Sequence, residues 1–458
     1  MSQKSLEDVI NAAGNPVQLL RNSQTGPYIY PVVPPEFSNW RDEQRAWRDT
    51  CILFNQSYHM TDMYVEGPDA LRVLAMLGVN SFNNFGPSKA KQFVACNYDG
   101  YVIGDVILFH LEPNRFNLVG RPSVHNWVQY HCETGGYNVK LDRDERTVAR
   151  PGPIVRKAYR YQVQGPNALK VVEKVTGKAV PDVKFFNMTD FQIAGRRVRA
   201  LRHGMVGQPG FELFGPWEDG EAVKAAIVEA GQEFGLRQSG ARTYSSNTLE
   251  SGWIPSPLPA IYSGDKMKPY RQWLPANTYE AIASLGGSFY SNNIEDYYLT
   301  PWDLGYGPSV KFDHDFIGRE ALEAIAARPR RKKVTLVLNA DDVTRGISTM
   351  FQQGQRTKYF DFPSAVYSTL PYDKVVKDGK VIGVSTWCGY SANEGAMLTL
   401  AILDVEHSEP GTQVTFVWGE EGGGSSKPTV ERHQQLEIRA TVAPVPYSAP
   451  ARAAYRVN

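Results

Sequence analysis

Apolar and polar positions follow two rhythms along this chain. A strand rhythm at Tyr64–Val65, entered from Met60–Thr61–Asp62, runs into the turn residues Gly67–Pro68–Asp69, and ALRVLAML (Ala70 to Leu77) then carries helical spacing. The same order returns at Tyr161–Gln162–Val163–Gln164, followed by Gly165–Pro166–Asn167 and the helical run ALKVVEKV (Ala168 to Val175). A strand–turn–helix module repeated roughly a hundred residues apart predicts two related units of interrupted α+β plan, not a short-period solenoid.

Between Phe93 and Val119 three strand-like runs are broken at Asp99–Gly100 and at Glu112–Pro113–Asn114. Asp-Gly supplies the positive backbone angles that a tight hairpin needs, so antiparallel sheet is expected here. From Lys332 onward KVTLVL, KVIGVSTW, LTLAILDV and TQVTFVWG are separated by Gly, Pro and Asn, which predicts a C-terminal β-rich, barrel-like domain. Its boundary is placed near Ala327–Arg328–Pro329, and EEGGGSSKP (Glu420 to Pro428) reads as a flexible hairpin tip. The expected units are therefore residues 1–150, with room for part of the later chain, 151–327, and 328–458.

The 458 residues are too many for one ordinary core, and 42% hydrophobic with 21% charged residues is a globular composition. Lys and Arg total 49 against 48 Asp and Glu, so no field of one sign draws the chain to nucleic acid or an anionic membrane, and a small-molecule partner is expected. Four scattered cysteines lack any CxxC pair, and no stretch approaches the ~20 apolar residues of a membrane span. With no apolar leader after Met1, the expected location is cytoplasmic. There is no GxGxxG after a strand, no Walker loop, no HExxH and no GxSxG, which removes the usual signals for dinucleotide, ATP, zinc and serine-hydrolase chemistry. No metal and no flavin are expected.

Four segments, in order and at similar separations, resemble the glycine-cleavage T-protein: LFNQSYHMTDMYVEGPDALRVL (Leu53 to Leu74), NYDGYVIGDVIL (Asn97 to Leu108), QGPNA (Gln164 to Ala168) with GMVGQPGFEL (Gly204 to Leu213), and GYGPSVKFDHDFIGREAL (Gly305 to Leu322). In the second, Gly104 stands where the family has its first carboxylate and Asp105 keeps the second. The resemblance implies an α+β cloverleaf of three domains around a central channel for tetrahydrofolate. It implies Glu212 against the N–H donors of the pterin, Gln164 on its carbonyl, Trp253 packed on the folate, and Asp105 as a further cofactor contact. The first three have ordinary alternatives: a strand-end glutamate, a turn-capping glutamine, a core tryptophan.

The chain departs from the T-protein at ARTYSSNTLESGW, where Tyr244 and Ser245 stand near an expected Arg-Asp pair, and at a long aromatic-rich insertion, Ile254 to Tyr298. With PYIYPVVPPEFSNWRDEQRAWR (Pro27 to Arg48), these features resemble the tetrahydrofolate-dependent aryl O-demethylases that act on vanillate, 3-O-methylgallate and syringate. Phenolate leaves poorly, so such a reaction needs an acid at the departing oxygen. Tyr244, with an ordinary phenol pKa of ~10, suits that task, and His59 is the other candidate proton donor. A carboxylated substrate asks for an arginine fork, for which Arg121 after the apolar strand FNLVG is the candidate, while Gln56, His59, Tyr28 and Tyr30 are expected to ring the aromatic. The expected reaction moves the methyl group of a methoxybenzoate, syringate first among them, to N5 of tetrahydrofolate. Two rivals stay open: a folate-linked enzyme for an N- or S-methyl substrate such as dimethylglycine or a sulfonium compound, and a non-catalytic folate-binding regulator.

Overall fold

A computed structural model of the chain describes residues 4–149, 153–255, 257–328 and 330–453. The expected boundary at 150–151, and Pro329 in the next one, lie outside the described residues. Both strand–turn–helix modules form where the pattern places them. Strand β1 spans Cys51–Asn55 and β2 Thr61–Glu66, and the helix Ala70–Leu77 follows the Gly67–Pro68–Asp69 turn. Strands β3 (Lys89–Cys96), β4 (Val102–Glu112), β5 (Arg115–Gly120) and β6 (Lys140–Asp144) complete a five-stranded sheet in the order β3-β4-β5-β2-β6, its hairpins turning at the two predicted breaks.

Strand β1 is not part of that sheet. It joins β7 (Ala158–Gln164), β8 (Met188–Ile193), β9 (Arg196–Arg202), β10 (Gly210–Pro216) and β11 (Leu236–Gln238) in a second, six-stranded sheet of order β11-β1-β7-β10-β9-β8. The short connection Gln56–Met60 therefore crosses from one sheet to the other. Phe109, Val119, Leu201 and Phe214, with Met60 and Tyr64 packed against them, fill the seam. At the β7–β10 crossing only glycine fits position 210, because a Cβ there would sit 2.0 Å from the Val163 carbonyl oxygen.

Helix Pro122–Thr134 covers the first sheet, and its Trp127 meets Tyr270 of the aromatic-rich insertion edge to face, with ring centroids 4.9 Å apart. The insertion thus adds aromatic core to that body, with Tyr270, Tyr297 and Tyr298 fully buried. Beyond residue 330 six strands close a barrel in the order Arg331–Leu338, Ala396–Asp404, Lys380–Ser391, Asp373–Lys377, Gln413–Trp418, Leu436–Ala443. Four of them coincide with the predicted runs. The stretch Glu420–Pro428, expected to be a flexible tip, is pinned: Lys358 Nζ donates to Glu420 at 3.0 Å and Lys427 Nζ to the Leu285 carbonyl at 2.9 Å. Both tip residues are buried, and a buried charge is held by its partners rather than left to move.

Candidate active site

The β1–β2 crossing brings Gln56 and His59 to one place, and the N-terminal segment Pro27–Glu36 closes over them. That segment is held by the start of the short helix Ala241–Tyr244, where Ala241 N donates to Pro34 O at 2.9 Å and Arg242 N to Pro35 O at 3.1 Å. Gly240 is required at this crossing, since a Cβ would meet Pro35 O at 2.3 Å. Glu43 fixes the turn by accepting from Gly240 N at 2.8 Å and from the Thr243 hydroxyl at 2.6 Å.

Three rings converge as a result. The centroids of Tyr30 and Tyr244 are 4.5 Å apart, and His59 lies 4.8 Å from each. Gln56 Nε2 donates to the Tyr244 hydroxyl oxygen at 3.2 Å, and the Tyr244 O–H points at Met205 Sδ, 3.9 Å away, a weak acceptor that an incoming oxygen can replace. Burial pushes the Tyr244 phenol well above its ordinary pKa, with neighbouring Tyr30 adding to the rise and Gln56 opposing it. Burial drives His59 down to about 3, reinforced by Arg121, Arg156 and Arg146. Its imidazole is neutral at neutral pH, which leaves Tyr244 the better placed of the two candidate acids.

Arg121 stands between β5 and the helix Pro122–Thr134, at the helix's positive end. Its guanidinium carbon lies 4.4 Å from the Tyr28 ring centroid, and Nη1 donates to the Tyr279 hydroxyl at 3.3 Å. Tyr28 in turn donates to the His59 carbonyl. All six residues expected to bind the aromatic or move its proton are thus drawn into one aromatic wall. Arg146 and Tyr279 belong to it too. Neither was singled out from sequence, since Arg146 sits in the charged run LDRDERT, which reads as a solvated face, and Tyr279 is one of many aromatics in the insertion.

Glu212 on β10 lies at the sheet junction, 4% exposed, with Arg160 Nη1 2.5 Å from one carboxylate oxygen and His203 Nδ1 3.6 Å from the other. Burial alone would raise this carboxyl, but Arg160 and His203 hold it below the usual range. Arg160 also pairs with Asp62 at 2.8 Å, and Arg156 bridges Asp62 and Asp144. In such a buried network each charge is compensated, and removing one member strands the rest. Gln164 differs from expectation: its carbonyl oxygen accepts from Met205 N and Val206 N at 2.7 and 3.1 Å, and its amide nitrogen donates to Gln208 O at 2.9 Å. Both ends of the side chain are spent on the loop 203–208. Gln162, paired with Glu212 across the strands, instead has a buried carbonyl oxygen without a partner among the described residues.

Trp253, expected to stack on a cofactor, is 38% exposed, and its indole N–H donates to Asp105 at 3.2 Å and to the Tyr306 hydroxyl at 2.9 Å. Burial pushes the Asp105 carboxyl above the usual carboxylate range, only partly offset by hydrogen bonds from Trp253, Tyr306 and Gln92. Arg121 also acts on Asp105, and Glu212 on Tyr244, so the tyrosine wall, the Asp105 group and the Glu212 network lie within electrostatic reach of one another.

The GCVT N-terminal domain family matches residues 22–256. Over 452 residues the chain is 59% identical to the syringate O-demethylase of Sphingobium sp. strain SYK-6, covering 99% of this chain and 98% of that one. It is 30% identical over 432 residues to the sesamin methylene transferase of Sinomonas sp. strain No.22, covering 91% and 90% of the two chains. The glycine cleavage system aminomethyltransferase T of Bartonella henselae superimposes with a TM-score of 0.59 at 18% identity, over 96% of both chains, and so shares the fold.

Proposed function

The chain belongs to the GCVT family, and on that premise we propose that it is a tetrahydrofolate-dependent aryl O-demethylase whose first substrate to consider is syringate. The observation that carries this reading is the tyrosine wall: a buried phenol with its proton, beside rings that offer an aromatic surface and an arginine able to hold a carboxylate. The 59% identity to a syringate O-demethylase over nearly the whole of both chains supports the same choice.

The residues at the sheet junction fit a pterin. Glu212 offers a buried anionic acceptor, and the carbonyl oxygens of Gln162 and Gln56 are buried acceptors without partners among the described residues, the complement of a ring rich in N–H donors. Tetrahydrofolate, when bound, supplies the N5 amine that accepts the methyl group.

The chain's own part follows from its geometry. Arg121 anchors the carboxylate of the aromatic acid, and Tyr28, Tyr30 and His59 enclose its ring. Tyr244 holds a proton at its phenolic oxygen and delivers it to the aryl oxygen as that oxygen loses its methyl group. Gln56 then steadies the resulting tyrosinate through the N–H it already directs at that atom. The raised pKa of Tyr244 does not disqualify it, because the burial that makes it a weak acid makes a departing phenolate an equally stronger base. The reading is tested by incubating purified protein with syringate, with and without tetrahydrofolate. Folate-dependent appearance of the demethylated acid is expected, and its absence with both reactants intact would overturn the reading.

A further inference from the structure

Arg121 is not the one cation that faces the aromatic wall. Arg146 lies two residues past β6, its guanidinium carbon 4.7 Å from the Tyr28 ring centroid and 5.8 Å from that of Tyr279. The Arg121 guanidinium approaches the same Tyr28 ring at 4.4 Å. The carboxylate of neighbouring Glu145 is paired with Arg143 and accepts from the Thr61 hydroxyl at 3.1 Å. The Arg146 Nε hydrogen is buried without an acceptor among the described residues. Arg146 also hydrogen-bonds the Tyr28 phenol, but an aromatic face and a neutral hydroxyl hold a guanidinium in place without neutralising its charge. Two like charges converging on one ring, among neutral phenols and a histidine held neutral, make a site that an anion would complete.

We propose that Arg146 is a specificity-determining residue, which together with Arg121 receives the carboxylate of the aromatic acid and selects acids over the corresponding esters and aldehydes. This rests on the demethylase reading above and names the feature of the substrate that the site recognises. A carboxylate presents two oxygens with about four acceptor positions, enough for two guanidinium groups at once. Tyr28 and Tyr279 are positioning residues here: their faces keep Arg146 turned toward the ring wall.

The experiment compares wild type, Arg146→Ala and Arg146→Lys, using syringate and its methyl ester as probes. Calorimetry without folate reads binding, and turnover with tetrahydrofolate reads KM against kcat. Loss of a charge-assisted contact predicts that R146A raises Kd and KM for the acid by about 10–100-fold. The ester should change less than about 3-fold, as should kcat at saturating acid, because the ester lacks the anion and Arg146 does not touch the reacting bond. R146K keeps the charge without the fork and should lose about 3–10-fold on the acid alone, which carries the test if R146A fails to fold. Equal losses for acid and ester, or no loss for either, would overturn the proposal. A wild type that turns over syringate while the acid-to-ester ratio ignores position 146 removes this inference alone; a wild type that binds the acid without demethylating it removes the demethylase reading instead.

Discussion

Tyr244 and His59 sit 4.8 Å apart, yet burial gives them opposite consequences: the phenol is held protonated and the imidazole unprotonated. Tyr244→Phe keeps the tilted and edge-on ring contacts and removes the proton, so kcat should fall by about 10²–10⁴-fold. Binding of syringate to that variant, measured by calorimetry, should move only a few-fold. With a native pKa of about 3, His59 should show no titration of its ring proton resonances between pH 5 and 8. The same shift acts on stability: the unfolded chain takes up a proton near pH 6.5 that the native state refuses until about pH 3, so stability falls as pH drops through that window. His59→Gln should make the decline shallower, as read from urea midpoints at pH 4.5 and 7.5. Tyr244 was legible in the sequence because it interrupts a known pattern among small polar neighbours. Arg146 was not, because an arginine between Glu and Thr looks solvated until a distant tyrosine covers it.

At the scale of elements, the loop 203–208 depends on one side chain. Gln164 makes two hydrogen bonds to its backbone amides and two to its carbonyls, and through them places Met205 against Gln56 and Tyr244. Gln164→Ala leaves those groups buried and unsatisfied, which should cost about 1–3 kcal/mol, measurable by urea denaturation. Activity should drop by roughly 10-fold through displacement of Gln56, less than the loss on removing the Tyr244 hydroxyl. The strand–turn–helix modules and the hairpins were readable because period and turn chemistry agree locally. What periodicity could not convey is that β1 leaves its neighbour β2 for another sheet, since partner choice is set by long-range packing. That crossing is what carries Gln56 and His59 into the site.

Across the whole molecule, Glu250 ties three parts of the chain together. Its carboxylate accepts from the Trp47 indole at 2.9 Å, from the Ser391 hydroxyl at 2.7 Å and from Asn393 at 3.0 Å, joining the helix Trp40–Asp49, the segment that follows Tyr244 and the barrel strand Lys380–Ser391. Glu250→Ala strands three donors and should lower the melting temperature, while kcat falls less than in Tyr244→Phe. The scaffold is that of the T-protein, shared at 18% identity with an aminomethyltransferase, so fold alone does not choose the methyl donor. The choice of an aryl methyl ether rests on the wall formed by Tyr28, Tyr30, His59 and Tyr244 with its arginines. Its most direct test follows the carbon itself: syringate labelled with ¹³C in its methoxy groups, incubated with purified enzyme and tetrahydrofolate and read by NMR. The account predicts label in 5-methyltetrahydrofolate in one-to-one proportion with demethylated acid; demethylation with the label in formaldehyde or methanol, or no movement of label, would contradict it.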